Sequence, residues 1–160
     1  MKVREIMTRG VGVCGPHTNA AAIAEILWSR DCGAVPVVDE RGILQGIVTD
    51  RDLSIALGTR NLRASTVRAD DVMTRDVATC GPEDDVLHAL ELMHRFRVRR
   101  LPVADQDARV EGIVSISDIV RAAAHPGDGL SMAMVMKAMA RINDRSAPRD
   151  EPLLAAAATS

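Results

Sequence analysis

Aromatic residues are almost missing from this chain of 160 residues, which has one Trp, one Phe and no Tyr. Because 47% of the residues are nevertheless hydrophobic, the core has to be built from aliphatic side chains. Proteins that bind single-stranded nucleic acids stack the bases on aromatic side chains. The formal net charge is −2, so no basic surface favours a nucleic-acid backbone either. We therefore expect no nucleic-acid partner.

Cysteine and long apolar runs are also scarce. The three cysteines are Cys14, Cys32 and Cys80, an odd number without a CxxC motif, which excludes a disulfide framework and favours a reducing, cytoplasmic location. No apolar run approaches the roughly 18 residues that a membrane span needs. The start of the chain carries Glu5 and no apolar segment, unlike a secretory signal. We expect a soluble, cytoplasmic protein without membrane contact.

Recognisable catalytic and metal motifs are missing too. No GxSxG, Walker A or zinc-hydrolase motif occurs, so we predict that the protein is not an enzyme. The four histidines share no ligand spacing with one another or with the cysteines, and we predict no metal site. A metal or redox sensor that uses Cys and His side chains from different parts of the chain remains an alternative.

An internal repeat is the strongest feature that the sequence does contain. Residues recur 66 positions later without a gap, with about 16 identities over roughly 55 aligned positions. The recurring pieces are Met7-Thr8-Arg9 with Met73-Thr74-Arg75, Cys14-Gly15-Pro16 with Cys80-Gly81-Pro82, and Gly46-Ile47-Val48 with Gly112-Ile113-Val114. We predict a first repeat with its linker over 1–65, a second repeat over 66–124, and a C-terminal segment over 125–160.

The sequence pattern within each repeat predicts the element order β-α-β-β-α. The first strands are predicted at 11–14 and 77–80, and the following helices are predicted to begin after the N-caps Thr18 and Asp84. Hairpins are predicted at 35–38 with 44–49 and at 101–104 with 110–115, and the closing helices at 51–57 and 117–123. Such a unit leaves one sheet face open, so we expect two pseudo-twofold-related repeats to pack as one α/β (α+β) domain.

With these pieces in the same order in both repeats, the chain resembles the CBS domain family, in the tandem arrangement called a Bateman module. The residues that carry the resemblance are Ile6-Met7-Thr8, Val35-Pro36-Val37-Val38-Asp39 and Gly46-Ile47-Val48-Thr49-Asp50-Arg51-Asp52-Leu53, with their counterparts in the second repeat. The resemblance implies a non-catalytic regulatory module that binds an adenosine-containing ligand in the clefts between the repeats. It also implies a homodimer and a separate, unknown target protein that responds to the bound ligand.

The resemblance further implies which residues hold that ligand. In the family, a Thr or Ser at the end of a strand contacts phosphate, and an Asp three residues later accepts hydrogen bonds from the ribose. The matching residues are Thr49 with Asp52, and Ser115 with Asp118. The same residues are also typical of a helix N-cap followed by a first-turn acid, so a purely structural role remains open.

A basic cluster precedes the hairpin of the second repeat and comprises Arg95, Arg97, Arg99 and Arg100. By analogy with phosphate-binding relatives, we predict that Arg99 and Arg100 contact the phosphates, because guanidinium groups bind phosphate in a bidentate way. We expect Arg95 to lie on a solvated helix end. The first repeat has Gly33 and Ala34 at the positions of Arg99 and Arg100, so its ligand is expected to be less charged or its site empty. AMP, ADP or ATP is the expected ligand class, and S-adenosylmethionine and NAD are alternatives.

The repeat ends near Ala124, and the rest of the chain has a different character. Residues 125–129 predict a turn, residues 130–142 predict a methionine-rich helix, and residues 143–160 are expected to be disordered. The predicted apolar stripe of the helix consists of Met132, Val135, Met136 and Met139. This stripe is expected to cover the module's own core or a dimer partner, with docking to another protein as the alternative. An interaction scaffold whose ligand clefts are vestigial is the remaining alternative for the whole chain.

Overall fold

The structure, a computed structural model, describes residues 1–124 and 130–144. Two compact units make up the chain, and their boundaries differ from those of the sequence repeats. One unit contains Met1–Arg9, Ala78–Asp105 and the described residues from Glu111 onward; the other contains Gly10–Val77 and Gln106–Val110. Each repeat therefore contributes its first residues to the unit that is built mainly from the other repeat.

Seven helices and five short strands occur in the described residues. In chain order they are α1 (Val3–Ile6), β1 (Thr8–Arg9), α2 (Ala20–Ser29), β2 (Ala34–Val38), β3 (Leu44–Thr49), α3 (Asp50–Arg60), α4 (Ala69–Val72), α5 (Val86–Phe96), β4 (Arg100–Ala104), β5 (Val110–Ser115), α6 (Ile116–Ala123) and α7 (Met132–Asn143). The mixed helix-and-strand architecture predicted from the sequence is confirmed, including both hairpins. The short elements α1, β1 and α4 were not predicted, because two to four residues are too few for a periodic pattern.

The sheets are small, and the repeat motif explains how they are completed. β2 pairs with β3 in an antiparallel hairpin, and β1, β5 and β4 form a three-stranded sheet in that order. Thr8 of the Met-Thr-Arg motif pairs with Ile113 of β5. In the other unit, Thr74 of the second copy of the motif pairs with Ile47 of β3. The recurring Met-Thr-Arg residues therefore supply a short extra strand segment beside the recurring Gly-Ile-Val residues.

The N-caps predicted for α2 and α5 were wrong by one residue. Asn19 caps α2 by accepting a hydrogen bond from the Ala22 N–H at 2.9 Å, and Asp85 caps α5. Thr18 and Asp84 instead accept from the backbone N–H groups of Gly15 and Gly81, at 3.1 and 2.7 Å. Both pairs of polar side chains are used, but the first of each pair fixes the Gly-Pro turn that precedes the helix.

The prediction of a four-residue first strand in each repeat was also wrong. Around Cys14 and Cys80 the backbone forms single parallel bridges, to Val37 and Val103 respectively, rather than strands of four residues. Cys14 N–H donates to Pro36 O at 3.1 Å, and Val38 N–H donates to Cys14 O at 2.8 Å. The pairing stops after one residue because the Gly-Pro turn that follows each cysteine bends the chain away from the hairpin.

Both units have aliphatic cores, as the scarcity of aromatic residues requires. In the first, the buried side chains come from α1, α5, α6, α7 and the β4–β5 hairpin; the largest are Met93, Leu101 and Ile119. In the second, the core is built on Ile23, Val35, Val37 and Val48. Burying a Val, Leu, Ile or Met side chain contributes about 1.5–3 kcal/mol each, so these small cores depend on every member.

Helix α7 packs on the first core, but through a different stripe from the predicted one. Val135 and Ala138 are buried, and Met139 and Ile142 pack against the core at their edge. Met132 and Met136 belong to the stripe that was predicted to cover this core or a dimer partner. They do not cover the core and are exposed on this chain, Met136 by 62%. The predicted turn at 125–129 and the predicted tail beyond residue 144 lie outside the described residues. Within the described ranges, no helix combines the length and apolarity that a bilayer crossing demands.

Candidate ligand site

The Thr49–Asp52 pair lies where β3 runs into α3. Thr49 is the N-cap of α3 and accepts a hydrogen bond from Asp52 N–H at 3.2 Å. Asp52 Oδ2 in turn accepts from the Thr49 N–H at 2.8 Å and from the Thr49 hydroxyl at 2.7 Å. This is a reciprocal capping box, which satisfies two backbone donors that the helix would otherwise leave unpaired.

Ser115 and Asp118 repeat this geometry where β5 runs into α6. Asp118 Oδ2 accepts from the Ser115 N–H at 2.8 Å and from its hydroxyl at 2.6 Å, and Asp118 N–H donates to Ser115 Oγ at 3.3 Å. Asp118 is 7% exposed, and among the residues that the structure describes no other charged residue is buried. Arg121 donates from Nη1 to Asp118 Oδ1 at 3.4 Å, so positive charge faces the second carboxylate oxygen. The structural role that the sequence left open is thus present in both repeats, and the ligand role stays a prediction.

Arg99 and Arg100 lie beside Ser115 because the backbone of Arg99 is bonded to the first residue of α6. α5 ends at Phe96, and Arg97 takes the left-handed conformation (φ 53°) that turns the chain toward β4. The N–H of Ile116, the first residue of α6, then donates to the Arg99 carbonyl at 2.8 Å. This bond holds the start of β4 beside the start of α6. As a result, Arg99 and Arg100 line the same cavity as the N-terminal residues of α6, where an anion is favoured.

A cavity of about 350 Å³ opens at this place within one compact unit. It is lined by Arg99, Arg100, Ser115, Ile116, Ser117, Met139, Ile142 and Asn143. The structure therefore brings together three of the six predicted ligand residues. Asp118 faces a second cavity of about 260 Å³, lined by Glu5, Ile6, Asp118, Arg121 and Ala122. The predicted phosphate contacts and the predicted ribose contact of the second repeat thus line two different cavities, each of which includes residues of α6.

Five lining residues of the larger cavity were not predicted. Ile116 and Ser117 adjoin the predicted Ser115 in sequence, and the other three are Met139, Ile142 and Asn143 of α7. Arg99 donates from Nη2 to Asn143 Oδ1, a short contact in the structure, and Asn143 Nδ2 donates to Met139 O at 2.9 Å. The three residues of α7 have no counterpart in the first repeat, so the repeat pattern contained no signal for them. Met139 was predicted on the apolar stripe of the helix, whereas Asn143 was expected to begin the disordered tail. That expectation was wrong, because Asn143 is the last residue of α7.

The other two arginines of the basic cluster have different positions. Arg95 lies over the Phe96 ring, with its guanidinium carbon 5.3 Å from the ring centroid, and its side chain is exposed. Arg97 provides the left-handed C-cap of α5, and its N–H donates to Met93 O. Arg95 and Arg97 are therefore outside the set of residues that line the 350 Å³ cavity. Arg95 lies on a solvated helix end, as expected.

The two repeats differ in charge at equivalent positions. Gly33 and the buried Ala34 stand where Arg99 and Arg100 stand in the second repeat. Ile55, which is 51% exposed, stands where Arg121 faces Asp118. Thr49 and Asp52 consequently form the same capping box without nearby positive charge from those positions. Any phosphate is expected to be held more weakly there than at Ser115, because each guanidinium can supply a charge-assisted hydrogen bond.

The two buried cysteines, Cys14 and Cys80, give no support to a redox role. Burial raises the pKa of the Cys14 thiol to about 11. Burial, together with the negative charge of Asp84, raises the pKa of the Cys80 thiol to about 12. Because the thiolate is the reactive form, both groups are poorly suited to oxidation or metal binding at neutral pH. Over residues 1–124 and 130–144, no cluster of three or more His, Cys, Asp or Glu side chains is arranged to hold a metal ion.

Comparison with known proteins assigns the family. The model of the CBS domain matches this chain twice, over residues 3–58 and 69–125. The chain belongs to the CBS domain family. The two matches coincide with the two sequence repeats, so the chain carries a CBS domain pair. A CBS pair is a regulatory module that generally has no catalytic activity of its own.

Relatives of known sequence place this pair in proteins of different sizes. Inosine-5'-monophosphate dehydrogenase of Methanocaldococcus jannaschii is 32% identical over 126 residues, which are 78% of this chain and 24% of that enzyme. The chain therefore spans about a quarter of the length of this relative. Hypoxic response protein 1 of Mycobacterium tuberculosis is 31% identical over 118 residues, which are 74% of this chain and 82% of that protein.

Solved structures share the fold and several contain ligands. The CBS domain pair of protein MJ0100, in complex with 5'-methylthioadenosine and S-adenosyl-L-methionine, is 29% identical with a TM-score of 0.68, over 76% of this chain and 94% of that one. CBSX2 of Arabidopsis thaliana in complex with AMP is 29% identical with a TM-score of 0.67, over 77% and 96%. Hypoxic response protein 1 with two zinc ions is 30% identical with a TM-score of 0.69, over 76% and 98%.

Proposed function

We propose that this CBS pair is a non-catalytic regulatory module that binds an adenosine nucleotide at the second repeat. In this proposal, Arg99, Arg100 and Ser115 hold the phosphate, and Asp118 accepts hydrogen bonds from the ribose. The first repeat, through Thr49 and Asp52, binds a less charged adenosyl ligand. Binding is transmitted to a target protein through a change in conformation.

The observation that carries the proposal is the convergence of two arginines and the N-terminus of α6 on one cavity. The cavity is large enough for a phosphate and part of a sugar, and Arg99 and Arg100 give it positive charge. The carbonyl of Arg99 is fixed by the Ile116 N–H, so the backbone that carries this side chain is in position before any ligand arrives. Such preorganisation lowers the entropic cost of binding.

The choice of an adenosine ligand is supported by two similar proteins. CBSX2 has been solved with AMP, and MJ0100 with 5'-methylthioadenosine and S-adenosyl-L-methionine. All three ligands share the adenosine group and differ in what is attached at the 5' position. A phosphate at that position suits Arg99 and Arg100, because a guanidinium group binds phosphate oxygens in pairs. An uncharged or cationic 5' substituent suits the first repeat, where Gly33 and Ala34 supply no charge.

A regulatory role requires that the ligand distinguish between two arrangements of the protein. A ligand shifts a conformational equilibrium only by the difference between its affinities for the two states. The arginine-lined cavity provides that difference if a phosphate draws β4, α6 and neighbouring residues together. The target protein would then respond to the population of the ligand-bound arrangement.

Isothermal titration calorimetry with AMP, ADP, ATP, S-adenosylmethionine, NAD and zinc tests the proposal. Arg99→Ala and Arg100→Ala are each expected to weaken binding of the preferred nucleotide about 10- to 100-fold, because each removes a charge-assisted hydrogen bond. Arg95→Ala is the matched control, since it removes the same charge from the same segment outside the cavity. Its affinity is expected to stay within about twofold of the wild-type value.

Three outcomes would reject the proposal. Failure of every adenosyl compound to bind would favour an interaction scaffold with vestigial sites. Equal losses in the Arg95 variant and the Arg99 variant would show that only overall charge matters. Tight binding of zinc without binding of any nucleotide would favour the metal-sensor alternative. Substitution of Asp118 is a poorer test, because loss of the Ser115–Asp118 capping box would also lower the stability of α6.

A further inference from the structure

Helix α7 is held firmly against the core of its own compact unit. Ser131 caps its N-terminus by accepting a hydrogen bond from Met134 N–H at 3.3 Å. Val135 is fully buried and Ala138 is 6% exposed, in a core that includes residues of α5 and α6. The helix is therefore an integral part of this unit, although it lies beyond the second repeat.

The last turn of α7 forms one wall of the arginine-lined cavity. Met139 and Ile142 contribute apolar surface there, and Asn143 contributes its amide group. The amide is used at both ends, because Nδ2 donates to Met139 O at 2.9 Å and Oδ1 accepts from Arg99 Nη2. One hydrogen bond thus fixes the orientation of the Asn143 side chain, and the other holds the guanidinium group of Arg99.

A phosphate at this cavity would compete with the last turn of α7. The phosphate oxygens and Asn143 Oδ1 are both acceptors for the Arg99 guanidinium. The C-terminal end of a helix also carries partial negative charge from its unpaired carbonyl groups, which attracts a guanidinium and repels a phosphate. Arg99 at the end of α7 is therefore favourable while the cavity contains no anion, and becomes unfavourable for α7 once an anion binds.

We propose that the last turn of α7 is an autoinhibitory element that a ligand phosphate displaces from Arg99. This inference rests on the proposed nucleotide function and adds a specificity device to it. A neutral adenosyl compound binds with α7 in place, whereas a phosphorylated one has to break the Arg99–Asn143 bond first. Because the last turn is displaced, phosphate binding changes the conformation at the C-terminal end of the described chain.

The device is confined to the second repeat. The first repeat has Gly33 in place of Arg99, so it has no guanidinium that an α7-like helix could hold. After α3 its chain continues through residues 61–68 into α4, and this connection is too short for a helix equivalent to α7. The two repeats are therefore expected to respond differently to the same nucleotide, with regulation by α7 at one repeat only.

The test compares the affinities of AMP and adenosine for the full chain and three variants. Asn143→Ala removes the acceptor for Arg99, and the ratio of AMP affinity to adenosine affinity is expected to rise about five- to tenfold. Asn143→Asp keeps an acceptor for Arg99 and adds negative charge, and the ratio is expected to fall about two- to fivefold. Met136→Ala changes an exposed side chain of the same helix, and the ratio is expected to remain unchanged.

The opposite signs of the two Asn143 variants separate this proposal from a direct role of Asn143 in ligand binding. If Asn143 contacted the ligand, Asn143→Ala would lower the AMP affinity, and that result would overturn the proposal. An unchanged ratio in both variants would overturn it as well, while leaving the proposed nucleotide function intact. Failure of wild type and every variant to bind either compound would reject the nucleotide function, and the α7 inference with it.

Hydrogen exchange supplies a second readout that does not depend on substitution. With saturating AMP, amide exchange in residues 139–143 of the wild-type chain is expected to become faster, while exchange around Val135 stays slow. With saturating adenosine, exchange in both segments is expected to stay at the rate of the free protein. Slower exchange in residues 139–143 with AMP would mean that the nucleotide closes α7 instead of displacing it, and would contradict the proposal.

Discussion

Ile47 and Thr74 exchange both of their backbone hydrogen bonds, with N···O distances of 2.9 and 3.0 Å. The exchange brings Met73 and Thr74 directly over the neighbouring Gly46. A Cβ atom at Gly46 would lie 2.8 Å from Thr74 O and 2.7 Å from Met73 Sδ. The recurring glycine and the recurring Met-Thr pair are thus two sides of one close contact, which explains why they repeat together.

Gly46→Ala is therefore expected to destabilise the protein by about 1–3 kcal/mol, the usual cost of forcing an extra group into a packed site. Gly58→Ala is the matched control, because Gly58 lies in α3 and its added Cβ would meet nothing within 4 Å. That variant is expected to gain about 0.4–1 kcal/mol by reducing the freedom of the unfolded chain. Urea denaturation of both variants measures the difference, and equal stabilities would contradict the close contact.

The thiols of Cys14 and Cys80 are expected to react slowly with iodoacetamide in the folded protein. A pKa of about 11 for Cys14, instead of the ordinary value of 9.0, leaves a roughly hundredfold smaller thiolate fraction at pH 8. Burial limits access of the reagent further. Mass spectrometry of partly alkylated samples, folded and in urea, measures the protection of each site. Rapid labelling of Cys14 or Cys80 in the folded protein would reopen the redox-sensor alternative.

Much of the fold was predictable because the sequence contains each element twice. The bounds of β3 and β5 agree with the predicted residues, since in both copies a turn precedes the strand and a helix N-cap, Thr49 or Ser115, ends it. The N-caps at Asn19 and Asp85 were missed because two capping residues stand side by side, and the choice depends on how the preceding Gly-Pro turn is closed. The residue types alone do not show which of the two side chains caps the helix, because that depends on the conformation of the turn.

The candidate site was less predictable than the fold. Arg99, Arg100 and Ser115 were predicted through the family resemblance, and their convergence depends on the bond between Ile116 and Arg99, which no pattern in the sequence indicates. Asn143 was not predicted, because α7 has no equivalent in the repeat. The helix has enough apolar residues to define several stripes, and tertiary packing selects the one through Val135 and Ala138.

The stability of the protein is expected to fall between pH 7.5 and pH 5.5 in part because of His94. Burial, followed by the positive charges of Arg141 and Lys137, lowers the pKa of His94 below 6.5, and Glu91 acts in the opposite direction. A lowered pKa means that the unfolded state binds the proton more readily. The contribution of His94 is therefore complete above pH 6.5 and is lost as the pH falls through that value toward the folded pKa.

His94→Gln isolates this contribution from the other titrating groups. Urea denaturation of wild type and variant at pH 7.5 and pH 5.5 is expected to show a smaller loss of stability in the variant. His88→Gln is the control, since His88 lies on the same helix α5. A pH dependence that is identical in wild type and His94→Gln would contradict the lowered pKa.

An exposed tryptophan on α2 provides the test of the predicted homodimer. Trp28 is 84% exposed, and Ile55 of the neighbouring α3 is 51% exposed, so two large apolar side chains lie on helices that contact each other. If a second copy covers this face, Trp28→Glu is expected to give a monomer in size-exclusion chromatography with light scattering, because a buried unpaired charge costs several kcal/mol. Folding should be unaffected, since the side chain contacts little of its own chain. Leu62→Glu places the same charge at a 49% exposed apolar position outside both helices and is expected to leave the dimer intact. A wild-type monomer, or a dimer that survives Trp28→Glu, would show that this face is not the interface.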